Sequence, residues 1–229
     1  FKSIFTNRAL LGIIVAAIFV LLSQLTVMSL AGYVYPNVYG SAAAQSTASL
    51  LGTVVMLIVC APFASKLAAK FGKKELAVAS SICSALVWLV CLIWRPASVW
   101  GFVACYILAN IGMGFFNTII WAMITDVIDD AEVRSGIRED GTIYSVYSFA
   151  RKLGQAFSSG LVGALLGIIG YTEATAFDPT VTRGIFNMAC IAPIIGFVCI
   201  VLALVFLYPL SKKKVEENVA ALAARRNSK

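Results

Sequence analysis

Histidine is missing altogether from this 229-residue chain. Its absence removes imidazole acid–base chemistry and the commonest metal ligand. Charge is scarce as well: Asp, Glu, Lys and Arg make up 13% of residues, against about 25% in an ordinary soluble domain. Hydrophobic residues make up 60% of the chain, and mean hydropathy is +0.90. That balance excludes a soluble globule, a nucleic-acid-binding domain and a disordered chain. Cys60, Cys83, Cys91, Cys105, Cys190 and Cys199 all fall in apolar stretches with no Cys-x-x-Cys among them. They read as small buried hydrophobes rather than disulfide or metal partners. No nucleophile–base pair stands out, which disfavours an integral-membrane enzyme. The sequence opens on Phe1 without a signal-peptide layout, and the expectation is a piece of a longer polypeptide.

What the chain does have is long apolar runs. A helix needs about 20 apolar residues to cross the roughly 30 Å hydrocarbon core. From Ala9 to Ser65 there is no charged residue, which is too long for one crossing and suits two with a turn between. Tyr33-Val34-Tyr35-Pro36-Asn37-Val38-Tyr39-Gly40 supplies that turn, with Pro, Asn and Gly as breakers and Tyr suited to an interface. The expected spans are 9–33, 46–65, 76–94, 98–125, 141–171 and 184–208. The bundle then covers 1–211, and 212–229 is a basic tail.

The distribution of positive charge orients these six spans. Lys66, Lys70, Lys73 and Lys74 lie between spans two and three; Arg134 and Arg138 lie between four and five, with Arg151 and Lys152 just beyond. The two ends carry Lys2, Arg8, Lys212, Lys213, Lys214, Arg225, Arg226 and Lys229, leaving only Arg95 and Arg183 for the other side. The positive-inside rule therefore predicts both ends in the cytoplasm of a multi-pass cell (inner or plasma) membrane protein. The formal +7 follows from topology and implies no nucleic-acid partner.

Three features go beyond apolar helices. The segment Ala61–Lys74 is short and basic with Gly72 after an aromatic; it is either a stop-transfer loop or a gating loop whose Lys70 and Lys73 pair with acidic groups. The run Asp126–Gly141 places Asp126, Asp129 and Asp130 at i, i+3, i+4, one helix face, with Arg134 and Arg138 beyond. It reads as a solvated charge run or as an inner gate whose ion pairs form in one state and break in the other. Finally, Ser145, Ser148, Lys152, Gln155 and Ser159 share one stripe of the fifth span. Lys152 lies near mid-membrane if the span starts at Gly141, where a charge costs several kcal/mol and marks function. It is a snorkelling anchor if the span starts at Leu153. Asn110, Gly114, Asn117 and Trp121 form a second stripe, and Ser23 with Gln24 mark the first span. Singly, such residues are commonly helix–helix glue. Three stripes in six helices point to a shared aqueous pocket, and a sugar suits one lined by amides, hydroxyls and a Trp.

The segments Trp121–Asp129, Gly136–Gly141, Tyr144-Ser145 and Ser148–Ala156, with the Arg151-Lys152-x-Gly154-Gln155-Ala156 string and Tyr208-Pro209, resemble the glycoside–pentoside–hexuronide:cation symporters of the major facilitator superfamily, nearest their glucuronide-carrier branch. The resemblance implies an all-α integral membrane fold, six transmembrane helices forming the C-terminal half of a twelve-helix carrier. It implies symport of a glycoside, pentoside or hexuronide with H+ or Na+ by alternating access, with no bound cofactor. The cation ligands are expected in the N-terminal half, the partner of this one. Lys152 matches a Lys associated with the sugar and cation sites, and Ser148 a hydroxyl one turn away. Asp126, Asp129 and Arg138 match the charged inner-gate loop. The expected substrate-lining set is Lys152, Ser148, Gln155, Asn117, Trp121 and Gln24; the expected gating set is Asp126, Asp129, Arg138, Lys70 and Lys73. A carrier of a non-sugar substrate and a non-transporting six-span subunit are the rival readings.

Overall fold

A computed structural model describes residues 7–227; Lys2 and Lys229, two of the basic residues used above, lie outside them. Helices account for nearly all of the described chain, and there is no strand among those residues. Helix α1 spans Arg8–Tyr33, capped by the Asn7 side chain on Leu10 N, and runs on through a π-helical turn, Val34–Val38. The expected turn at Tyr33–Gly40 thus begins later, since Pro36 sits inside that wide turn and the chain breaks at Gly40, with φ of 65°. Helix α2, Ala42–Val55, a π turn over Met56–Cys60 and helix α3, Ala61–Phe71, make one continuous rod.

The basic loop expected over Ala61–Lys74 is therefore mostly helix. Pro62 lies just after the π turn; having no N–H, it removes one bond of the α-helical ladder at that junction without ending the rod. Only Gly72, with φ of 105°, breaks the chain before helix α4, Lys73–Trp94. Helix α5, Val99–Ser135, carries the acidic run inside its last turns instead of in a loop, and stops at left-handed Gly136. Helix α6 is Asp140–Ile168; helix α7 is Pro179–Leu202, extended by a π turn Ala203–Leu207, so the last span starts five residues earlier than expected. The tail folds too, as helix α8, Lys212–Asn227.

Among the described residues, five helical rods are long and apolar enough to cross a membrane: Arg8–Val38, Ala42–Phe71, Lys73–Trp94, Val99–Ser135 and Pro179–Leu207. At 29 residues, α6 has the length but not the hydropathy. Arg151, Lys152, Gln155 and its serines dilute it, the same residues that make its polar stripe.

Tight crossings set the rotation of each rod. α1 packs along α6 and α7, and α4 along α5 and α7. Where they cross, small residues let backbones approach, as in membrane helix pairs generally. A Cβ at Gly154 of α6 would stand 2.7 Å from the Ile18 carbonyl oxygen of α1; one at Gly112 of α5 would stand 2.5 Å from the Ser80 carbonyl oxygen of α4. One turn beyond Gly154, Ser158 shares a buried 3.4 Å hydrogen bond with Thr26. Tyr147, Ala150, Gly154, Ser158 and Val162 are consequently the buried face of α6.

The crossing yields a test. Gly154→Ala must push α1 and α6 apart, and overpacking of this kind costs typically 1–3 kcal/mol. Gly163, on the same helix, has open space around it, and Gly163→Ala gains helix propensity of up to about 1 kcal/mol. Melting in detergent should show Gly154→Ala lowered and Gly163→Ala unchanged or raised.

Candidate functional site

The burial of one α6 face leaves the other uncovered. Ser145, Ser148, Lys152, Gln155 and Ser159 are all exposed. Lys152 makes no hydrogen bond or ion pair among the described residues. Its depth follows from register. α1 and α6 start at the same end of the bundle, the end where most bases lie, and Gly154 is level with Ile18. At 1.5 Å per residue, Ile18 is roughly 15 Å from Arg8 and Lys152 roughly 12 Å. The lysine is level with the charge-free length of α1 but short of its midpoint.

The amides and the indole lie beside this stripe on α1 and α5. Asn117 Nδ2 donates to Gln24 Oε1 at 3.4 Å, both half-buried. In this conformation these two amides join α1 to α5, the role of interhelical glue. One turn along α5, Trp121 is 49% exposed. Its ring meets Tyr147 of α6 edge-on, centroids 5.4 Å apart. The Arg151 guanidinium stands 5.5 Å from the Trp121 ring centre and 5.7 Å from that of Tyr147, and Nη1 donates to the Tyr147 hydroxyl at 3.2 Å. Arg151 and Tyr147 were missed as site residues. Their i, i+4 spacing is readable, but that α5 presents a Trp to them depends on the rotation of α6.

At the basic end the charged residues separate into three fastenings. Asp126, 5% exposed, takes Lys73 Nζ at 2.6 Å, tying α5 to the first turn of α4. Arg138 bonds Asp129 at 2.8 Å, Glu132 at 2.9 Å and Asp140 at 2.8 Å, which clips the α5–α6 connection shut. Hydrogen bonds donated to those carboxylates, Asp129 foremost, raise the Arg138 guanidinium above its ordinary pKa. Asp130, 1% exposed, faces Arg134 at 2.8 Å and accepts from Asn218 of α8 at 3.0 Å. Arg225 of α8 donates to the Glu132 and Val133 carbonyls, capping the end of α5 as cations do. The shared face expected for Asp126, Asp129 and Asp130 is thus divided among three partners. Lys70 stands apart: its ammonium lies 5.2 Å from the Phe71 ring and pairs with no carboxylate among the described residues, while its carbonyl accepts from Lys212. Asn218 was also missed; an amide set between the Glu216-Glu217 pair and an apolar stretch was its signal.

Apolar rods of membrane-crossing length, tied by small residues and showing an uncovered polar stripe, define a multi-pass membrane protein of the carrier architecture. A family model described as MFS/sugar transport protein matches residues 1–212, and the chain belongs to that family. It is 28% identical to the glucuronide carrier protein homolog of Escherichia coli (strain K12) over 223 residues, 96% of this chain and 48% of that protein. It is 30% identical to the uncharacterized symporter YjmB of Bacillus subtilis (strain 168) over 225 residues, again 96% and 48%. A putative sulfoquinovose importer of Salmonella typhimurium (strain LT2) is 28% identical over 178 residues, 78% of this chain and 37% of that protein. The chain spans about half the length of the curated relatives it matches.

Lys73 and Lys70, three residues apart, make a controlled comparison. Lys73→Ala leaves Asp126 buried without its counter-charge, which costs about 3–5 kcal/mol. Lys70→Ala removes no ion pair. Thermal melting should place Lys73→Ala far below Lys70→Ala, with the double variant Lys73→Ala/Asp126→Ala recovering part of the loss.

Proposed function

We propose that this chain is the C-terminal half of a secondary active transporter, a symporter that moves a glycoside, pentoside or hexuronide together with H+ or Na+ by alternating access. The observation that carries this is the uncovered stripe of α6, with unpaired Lys152 set among Ser145, Ser148, Gln155 and Ser159. A cation facing acyl tails is expensive, so that face belongs against water and a second body. The second body is an N-terminal six-helix half, and the relatives' double length supports it. α6 is then the sixth crossing, both ends of the chain lie in the cytoplasm of the cell membrane, and the substrate sits between the halves near the bilayer midplane.

In this reading Lys152, Ser148 and Gln155 line the substrate pathway directly. Trp121 offers a ring for a pyranose to stack on. Gln24 and Asn117 turn from each other to the sugar hydroxyls when it binds. The coupling cation is held by carboxylates of the other half. Of the gating set, Asp126–Lys73 and Asp129–Arg138 lie within this half, so they act by holding its rods in one arrangement, and Lys70 serves at the lipid or partner surface.

Uptake of labelled glycosides by the complete carrier, with Na+ and pH varied independently, tests the reading. Lys152→Ala should lower uptake by at least about tenfold, the scale of one charge-assisted hydrogen bond, with unchanged amounts in the membrane. Wild-type uptake by that variant removes Lys152 from the site; no gradient-driven uptake of any glycoside ends the symport reading.

A further inference from the structure

Arg151 is a second cation at nearly the depth of Lys152, and among the described residues it has no counter-charge. A guanidinium carries five N–H donors. Among the described residues Arg151 uses one, toward the Tyr147 hydroxyl. Its charge otherwise rests on the rings of Trp121 and Tyr147, a weaker partner than a carboxylate. No acid is placed to help. α1, the rod Ala42–Phe71 and α7 contain no Asp or Glu. α6 has only Asp140, bound to Arg138, and Asp126 on α5 is turned to Lys73. Arg151 and Lys152 therefore put two adjacent positive charges on one side of this bundle, with nothing of opposite sign within reach.

Geometry adds to the charge argument. Arg151 sits on α6 between the buried face and the polar stripe, half-exposed, and is held upright by two aromatic side chains that cost little to leave. Its planar fork matches a carboxylate or sulfonate two bonds at a time, which a lysine does not do. Trp121 lies half uncovered beside it, its ring centre 5.5 Å from the guanidinium.

We propose that Arg151 is the receptor for an acid group on the substrate, a carboxylate or sulfonate, and that it makes the carrier select anionic sugars over neutral ones. Arg151 rests on the Trp121 and Tyr147 rings while the site is empty and swings to the acid group when substrate arrives. Lys152 adds field to the same group, and the polar stripe takes the hydroxyls. This rests on the sugar-carrier reading above and narrows its substrate class.

The test uses the complete carrier in proteoliposomes with methyl β-D-glucuronide and methyl β-D-glucoside, which differ only in the acid group. Wild type should favour the glucuronide by at least about tenfold in kcat/KM, the scale of a two-point charge-assisted contact. Arg151→Gln should erase that preference by losing glucuronide uptake alone, and Arg151→Lys should keep part of it. Equal uptake of both sugars by wild type, or preference for the glucoside, overturns the proposal and leaves the carrier reading intact. So does an equal loss of both sugars in Arg151→Gln, the mark of a structural ion pair with the other half. Uptake of neither sugar ends the sugar-carrier reading and this inference together.

Discussion

The contact between α1 and α6 at Gly154 governs what this half presents to its surroundings. With the Ile18 carbonyl where a Cβ would be, α6 has no freedom to rotate about its axis. Ser158 on Thr26, one turn further on, and the buried Tyr147, two turns back, hold the same rotation. Because a helix distributes its side chains by a fixed 100° step, pinning one face decides the others. Ser148, Lys152 and Gln155 must then point away from the bundle, and Arg151 must point toward Trp121. The small residue that permits close packing is thus also the residue that aims the polar stripe.

The basic end works by a different principle. There the rods are held by charge, and each fastening joins a side chain to a neighbour's helix end or carboxylate. Arg8 donates to the Phe206 carbonyl, Lys74 to that of Tyr208, Lys73 to Asp126, and Asn218 to Asp130. The carbonyl contacts of Arg8 and Lys74 are single donor bonds at the rim, whereas the Asp126 and Asp130 carboxylates are buried. The carrier proposed above needs a bundle that stays rigid where its substrate would bind, and the deep crossings supply that rigidity.

Much of the fold was legible because charge and apolar runs obey the bilayer. The limits of α1 and α4 came within a few residues of the charges and prolines that mark them. The acidic run did not read correctly: Asp126 to Ser135 resembles a loop by composition, yet it is helical because each carboxylate has a partner and Gly136 supplies the stop. The π turns left no trace in the sequence, since they arise from packing. At the site, the period of the α6 stripe was readable in full, whereas the Arg151–Trp121 contact was not, because it depends on how two helices are turned against each other. Lys70 and Lys73 looked equivalent; the Gly72 turn alone separates them, by sending Lys73 into α4 opposite Asp126.

The account stands or falls on what surrounds the outward face of α6, and collision accessibility measures that directly. A nitroxide attached at position 148 or 155 of the complete carrier in lipid should meet a water-soluble nickel complex readily and dissolved oxygen poorly. One at position 157, exposed on the flank of the same helix, should do the reverse. Oxygen-dominated collisions at 148 and 155 would put the polar stripe among acyl chains and contradict the account.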